Sequence, residues 1–151
     1  MTTIQVTIDG DKELASKLRS FAGSSLDLTN SMGGIGLYLT NFFSGEVFAS
    51  RGQVFGKPWP ALNPNYAAFK AREFPGRPPL IRTGLMQRSF KHKSTSLTTS
   101  LWNEAAYFDN HNEGWGVPER VMMQIDEQRE LRIVKYIVSD LTTQMDNAGL
   151  I

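Results

Sequence analysis

Oxygen and nitrogen ligands crowd together at one place in this sequence, Asp109-Asn110-His111-Asn112-Glu113. Such a donor set suits a hard cation or, through its imidazole, a divalent transition metal. The spacing is not that of a calcium loop, and no second histidine accompanies it. The expected use is therefore turn chemistry, with Asn and Asp satisfying local backbone and His111 packed or hydrogen-bonded nearby. Other usual chemistries also fail to assemble. With no cysteine there is no thiol nucleophile, thiolate metal site or disulfide. His92 and His111 are the only imidazoles, and no serine stands in a GxSxG elbow. The fifteen carboxylates are scattered, and their spacing places no two across a cleft. Gly33, Gly34 and Gly36 look like a phosphate loop, yet they sit inside a helical pattern, follow no strand and lack the full motif. Close helix packing is the better use for them. The sequence thus names no catalytic residue, no cofactor and no metal ligand, and the chain reads as a non-enzyme. A small hydrolase would need a cleft of convergent carboxylates with perturbed pKa values.

Charge is balanced overall, at +1, but not along the chain. Lys70 to Lys93 holds seven bases (Lys70, Arg72, Arg77, Arg82, Arg88, Lys91, Lys93) against one acid, Glu73. Glu104 to Glu127 holds six acids against one base, Arg120. Either these are two solvated faces of one domain, or the basic side meets the acidic side of an identical neighbour. Head-to-tail contacts of the second kind close into rings, with charge complementarity fixing their register. Arg77, Arg82, Arg88, Lys91 and Lys93 are the interface candidates, and the same side chains are suited to touching phosphates without reading bases. Trp59, Trp102 and Trp115 offer stacking surfaces, although tryptophan at a turn edge more often anchors a core. A net charge of +1 excludes the strongly basic balance of a dedicated duplex-DNA binder. A small nucleic-acid-binding module stays as the alternative of another class.

At 151 residues, 40% apolar and 21% charged, the composition is that of a single globular domain, 1–151. The start MTTIQVTIDGD lacks a secretory signal's basic and apolar regions, and no window approaches the ~18 apolar residues of a membrane span. Folding in the cytosol, with no membrane partner, is expected. Ile4, Val6 and Ile8 alternate with polar residues as a half-buried strand, and Asp11 can cap a short helix carrying Leu14, Leu18 and Phe21. Asp27 begins a long helix whose stripe is Leu28, Met32, Ile35, Leu39, Phe42 and Val47 or Phe43. Residues 50–63 form a Gly/Pro-rich loop anchored by Phe55, Trp59, Leu62 and Tyr66. Asn63-Pro64 starts a helix with Tyr66 and Phe69 turned inward, and prolines break it across 75–79. Thr83 caps a short helix with Leu85, Met86 and Phe90. Residues 91–103 read as one or two strands about a turn at Ser94 to Ser96, and Ala105 to Asn112 as a helical turn. Val117 to Ile125 reads as a final strand. Glu127 to Asn147 is the second long helix, facing the core through Leu131, Val134, Val138, Leu141 and Met145, widened by Ile133 and Ile137 and stopped at Gly149. The expected fold class is α+β: two long helices packed on a small antiparallel β-sheet, with extended Gly/Pro-rich loops at 50–63 and 75–79 serving as flexible arms.

The run Trp59-Pro60-Ala61-Leu62, followed by Tyr66 and Lys70, resembles the phage virion morphogenesis (tail completion) family of Mu-like and P2-like phages, which overlaps the HK97-type neck fold. Ile81-Arg82-Thr83-Gly84-Leu85-Met86-Gln87-Arg88-Ser89 is similar to that family's TG-x-L-x-x-S element, one residue tighter between Gly84 and Leu85. His111, Gly114, Pro118 and Arg120 match its histidine-glycine turn and proline-arginine segment, and the likeness runs from about residue 25 to 145. It rests on the order of short motifs. The resemblance implies a structural protein of the virion neck, made in the host cytoplasm and assembled as a homo-oligomeric ring, commonly sixfold, around the DNA channel. Its partners would be its own copies, a head–tail connector or adaptor, and a tail terminator or tail tube protein, with non-specific contact to packaged DNA. A tail terminator capping the tube is the near alternative. The family transfers no catalytic residue.

Overall fold

Strand β1 (Thr3–Thr7) alternates as its residues require, with Ile4 and Val6 half-buried and Thr3, Gln5 and Thr7 exposed. The structure is a computed structural model that describes residues 1–7 and 27–147; the expected helix from Asp11 to Phe21, the strand end at Ile8 and the stop at Gly149 lie outside the described residues. Helix α1 (Thr29–Ser44) follows, then α2 (Glu46–Ser50), a 3-10 turn (Gln53–Phe55), α3 (Pro64–Glu73) and α4 (Leu85–Arg88). β2 (Phe90–Ser94) and β3 (Thr98–Asn103) form a hairpin, and α5 (Phe108–Glu113) and α6 (Glu127–Asn147) complete the chain. The class is α+β, with a three-stranded antiparallel sheet in the order β1-β3-β2. Among the described residues no helix is long and apolar enough to cross a membrane. The chain divides into two compact units, one of Met1–Thr3, Thr40–Lys91 and Trp102–Gln124, the other of Ile4–Leu39, His92–Leu101 and Ile125–Ile151.

In the second unit the start of α1 is stitched to the hairpin tip. Leu28 N donates to Ser96 O at 3.1 Å, Ser94 Oγ donates to Met32 O at 3.1 Å, and the Ser94 and Thr99 hydroxyls hydrogen-bond at 2.8 Å. Asp27 accepts from Thr29 N at 2.9 Å and so closes the first turn of α1 from just outside it. α6 joins the same helix through Asp140, which accepts from Ser31 N and Ser31 Oγ. Two glycines permit this packing. A Cβ on Gly36 would lie 2.5 Å from His92 Cδ2 and 2.8 Å from Thr99 Oγ1, and one on Gly34 would meet the Tyr136 ring at 3.0 Å. Gly33 faces open space. The Gly-rich run is thus a contact surface for side chains across the helix, as its place inside a helical pattern suggested.

The α1 stripe is buried as expected, from Leu28 at 1% exposure to Val47 at 0%, although Gly45 interrupts the helix and Val47 belongs to α2. α6 corrects another expectation. Leu131, Val134 and Val138 face solvent, at 62%, 54% and 54% exposure, whereas Arg129 and Ile133 are buried. Tyr136, Ile137, Asp140, Leu141 and Gln144 flank that inner face. The sequence offers two apolar stripes about a third of a turn or more apart, and polar partners choose between them. Asp140 bonded to Ser31, and the Arg132 guanidinium 5.6 Å from the Tyr38 ring centroid, turn the Ile133–Ile137 side inward.

The expected strand from Val117 to Ile125 does not form. Its backbone is satisfied in other ways: Met122 N and Met123 N both donate to Asn112 Oδ1, at 2.9 and 3.0 Å, and Arg120 N donates to His111 O at 2.7 Å. An Asn side chain has replaced a neighbouring strand. α3 also turns differently. Tyr66 and Phe69 are 40% and 41% exposed, and the residue it buries is Lys70.

These glycine environments make opposite expectations for one helix. Gly33→Ala should raise stability by about 0.5–1 kcal/mol, the helix-propensity gain with no new contact. Gly36→Val should lower it by about 1–3 kcal/mol through overpacking against His92 and Thr99. Thermal melts of the two variants check the pair, and equal shifts would show that packing does not dictate this site.

Candidate functional site

Two loops of the first unit are held by two buried cations. Arg120 is 4% exposed, and its guanidinium donates through Nε to Pro60 O at 3.1 Å and through Nη2 to Pro60 O and Ala61 O, each at 3.0 Å. Lys70 is 3% exposed, and its ammonium donates to Pro78 O. Each cation therefore holds a proline-containing loop against the unit. Lys70 arrives there because Asn63, whose Oδ1 accepts from Asn65 N at 3.0 Å, caps α3 with proline at its first position and fixes the helix phase. Arg120 is placed by the α5 end, where Asn112 grips Met122 and Met123 and His111 O receives Arg120 N.

Between these groups lies a cavity of about 270 Å³. Lys70, Arg82, His111 and Arg120 supply its polar wall, with Leu62, Tyr66, Leu80, Met86 and Tyr107 among its apolar and aromatic lining. Among the described residues no Asp or Glu lines it. Burial pushes the Lys70 pKa down from its ordinary value, and the charge of Arg120 pushes it further the same way. His111 is likewise lowered, first by burial and then by Arg120, and its Nδ1 is buried with no hydrogen-bond partner among the described residues. Burial also lowers Arg120. The site gathers three basic side chains beside an imidazole whose protonation burial disfavours, so it attracts negative charge, and no carboxylate of the described residues stands among them.

The five basic candidates are all exposed, and they are not gathered into one site. Of them only Arg82 reaches the cavity wall, where its guanidinium also sits 5.6 Å from the Phe74 ring centroid. Arg88 turns back to donate from Nη1 to Thr83 O at 2.9 Å and crosses Gly84, whose φ of +79° and lack of a Cβ admit it. Arg77 lies in the proline segment, and Lys91 and Lys93 are the outward positions of β2. Among the loop anchors, Trp59 is buried, donates from Nε1 to Val121 O at 2.9 Å and meets the Phe48 ring edge-on at 5.3 Å. Phe55 packs edge-on against Phe42 at 5.8 Å, and Leu62 lines the cavity. Tyr66 is no core anchor; it lies at the cavity rim beside Phe69. The Asp109–Glu113 cluster serves backbone, but not only that of its own turn: Asp109 accepts from Thr2 N at the other end of the chain, and Asn112 grips the Met122 segment.

Sequence reasoning missed Lys70, His111 and Arg120 as a group. One signal was legible: Arg120 is the lone base in an acidic run, yet none of that run's carboxylates pairs with it. A base left without its acidic neighbours has turned inward. Their convergence follows from contacts 50 residues apart in sequence, as Lys70 and Arg120 are.

The lowered His111 pKa sets a pH dependence. Its folded pKa lies below the unfolded value of 6.5, so the unfolded chain takes up a proton first. Stability should fall as pH drops through 6.5 toward the folded pKa, and be unaffected by this group above about pH 7.5. Melting temperatures between pH 7.5 and 5.5 check this, with His111→Gln flattening the slope. Asp27 and Asp109, both lowered, would act only near and below their ordinary 3.8.

Compared with family models, curated proteins and solved structures, the chain has no significant match in any of the three.

Proposed function

We propose that this chain is a non-enzymatic structural protein of a phage virion neck, which forms a ring of identical copies that completes the tail and joins it to the head around the DNA channel. The observation that carries this reading is the exposed apolar stripe of α6, Leu131, Val134 and Val138, spaced at i, i+3 and i+7 on one side of the helix. Single exposed apolar residues are ordinary, but a helical row of them is the form an assembly contact takes. The order of the W-x-x-L, TG-L-x-x-S and histidine-glycine motifs supports the same reading, as does the opposition of basic and acidic segments. Exposed Arg77, Arg82, Arg88, Lys91 and Lys93 would face a neighbour's acids or the lumen. The finer architecture, two long helices packed on the small sheet with loops that act as arms, belongs to this proposal. Segment 50–63 is pinned by Trp59 and Arg120 and segment 75–79 by Lys70, so arms that move on assembly would first release those bonds.

Native mass spectrometry and electron microscopy of the purified chain across a concentration series should reveal closed rings. Leu131→Glu combined with Val138→Glu should abolish them without changing the circular dichroism spectrum, because both side chains already face solvent. A wild-type chain that stays monomeric beside its connector and tube partners would overturn the proposal, as would a double variant that assembles normally. Steep loss of DNA affinity with salt in such a monomer would point to a nucleic-acid module instead.

A further inference from the structure

We propose that the cavity walled by Lys70, Arg82, His111 and Arg120 is an oxyanion-binding site, taking a phosphate or carboxylate group. The argument starts from charge. Lys70 and Arg120 are almost wholly buried, and Arg82 adds a third basic side chain at the rim, with no carboxylate from the described residues in the wall. The carbonyls of Pro60, Ala61 and Pro78 supply hydrogen bonds but no negative charge, and buried cations left unbalanced are costly.

Donor capacity is also left over. Arg120 uses Nε and Nη2 on the loop carbonyls, which leaves both Nη1 N–H groups without a protein acceptor among the described residues. Lys70 has three N–H donors and places one on Pro78 O. Arginine and lysine donors converging on one space suit an oxyanion better than any other ligand class. A cation would be repelled, and an apolar ligand would leave the charges unmatched. The volume of about 270 Å³ is several times the roughly 30 Å³ share of a water molecule and has room for a phosphate or carboxylate group. Leu80, which lines the same wall, holds a φ of +63°, a strained conformation of the kind that gathers at ligand sites. A bound anion would offset the Arg120 charge that helps to depress Lys70. The site stands independently of ring formation.

Calorimetric titration and thermal shift with inorganic phosphate and with acetate, against chloride at constant ionic strength, test the inference. Saturable binding is expected. Arg82→Gln should weaken it by about tenfold, the scale of one charge-assisted contact. Lys70→Met should weaken it further, while Arg77→Gln, off the cavity, leaves it unchanged. Saturation by phosphate alone would assign the site to a phosphate ester, and saturation by acetate to a side-chain or terminal carboxylate; either supports it. Shifts no larger than chloride's would overturn the inference. Binding undiminished in Arg82→Gln, which alters an exposed side chain and tests the site even if Lys70→Met fails to fold, would do the same.

Discussion

A buried guanidinium held by backbone carbonyls organises the first unit. Arg120 fixes the carbonyls of Pro60 and Ala61, and the same segment carries Trp59, whose indole N–H closes on Val121 O one residue beyond Arg120. Each bond makes the other easier, because once the Val121 carbonyl is held, the arginine side chain has a defined origin. A charge-assisted hydrogen bond contributes about 1.5–3 kcal/mol when satisfied, and a buried charge stripped of its partners costs more than that. The loop from 50 to 63 is therefore ordered by polar chemistry as much as by its apolar anchors. Lys70 repeats the device on the proline segment, through Pro78 O.

That arrangement has an electrostatic consequence. Two cations brought together by loop carbonyls raise the positive potential of the space between them, which burial of Lys70 and His111 makes harder to screen. The groups that pin the loops are thus the ones that would attract the proposed anion. The proposed assembly stripe belongs to α6 of the second unit, and the proposed anion site is built within the first unit from α3, the Thr83–Gly84 turn and the α5 end.

Element identity was largely legible from residue pattern. The alternation of β1, the capped start of α3 at Asn63-Pro64 and the span of α6 from Glu127 to Asn147 all follow local rules, since caps, prolines and periodicity act within a few residues. Orientation was harder to read. α6 carries two apolar stripes, and tertiary contacts such as Asp140 with Ser31, Gln144 with Asp27 O and Arg132 with Tyr38 decide which is buried. The missing strand at 117–125 has a similar origin, because Asn112, a residue of α5, captures two N–H groups that a neighbouring strand would otherwise use.

Taken alone, the sequence determined the α+β class, the helical use of Gly33, Gly34 and Gly36, and the lack of thiol chemistry, because composition and short-range spacing suffice for each. Tertiary structure decided that Lys70 turns inward while Tyr66 and Phe69 stay exposed, and that Lys70, His111 and Arg120 share one cavity. The reason is physical: a lysine or arginine is buried only where acceptors are positioned to receive its donors, and for Arg120 those acceptors, Pro60 O and Ala61 O, come from about 60 residues away in the chain.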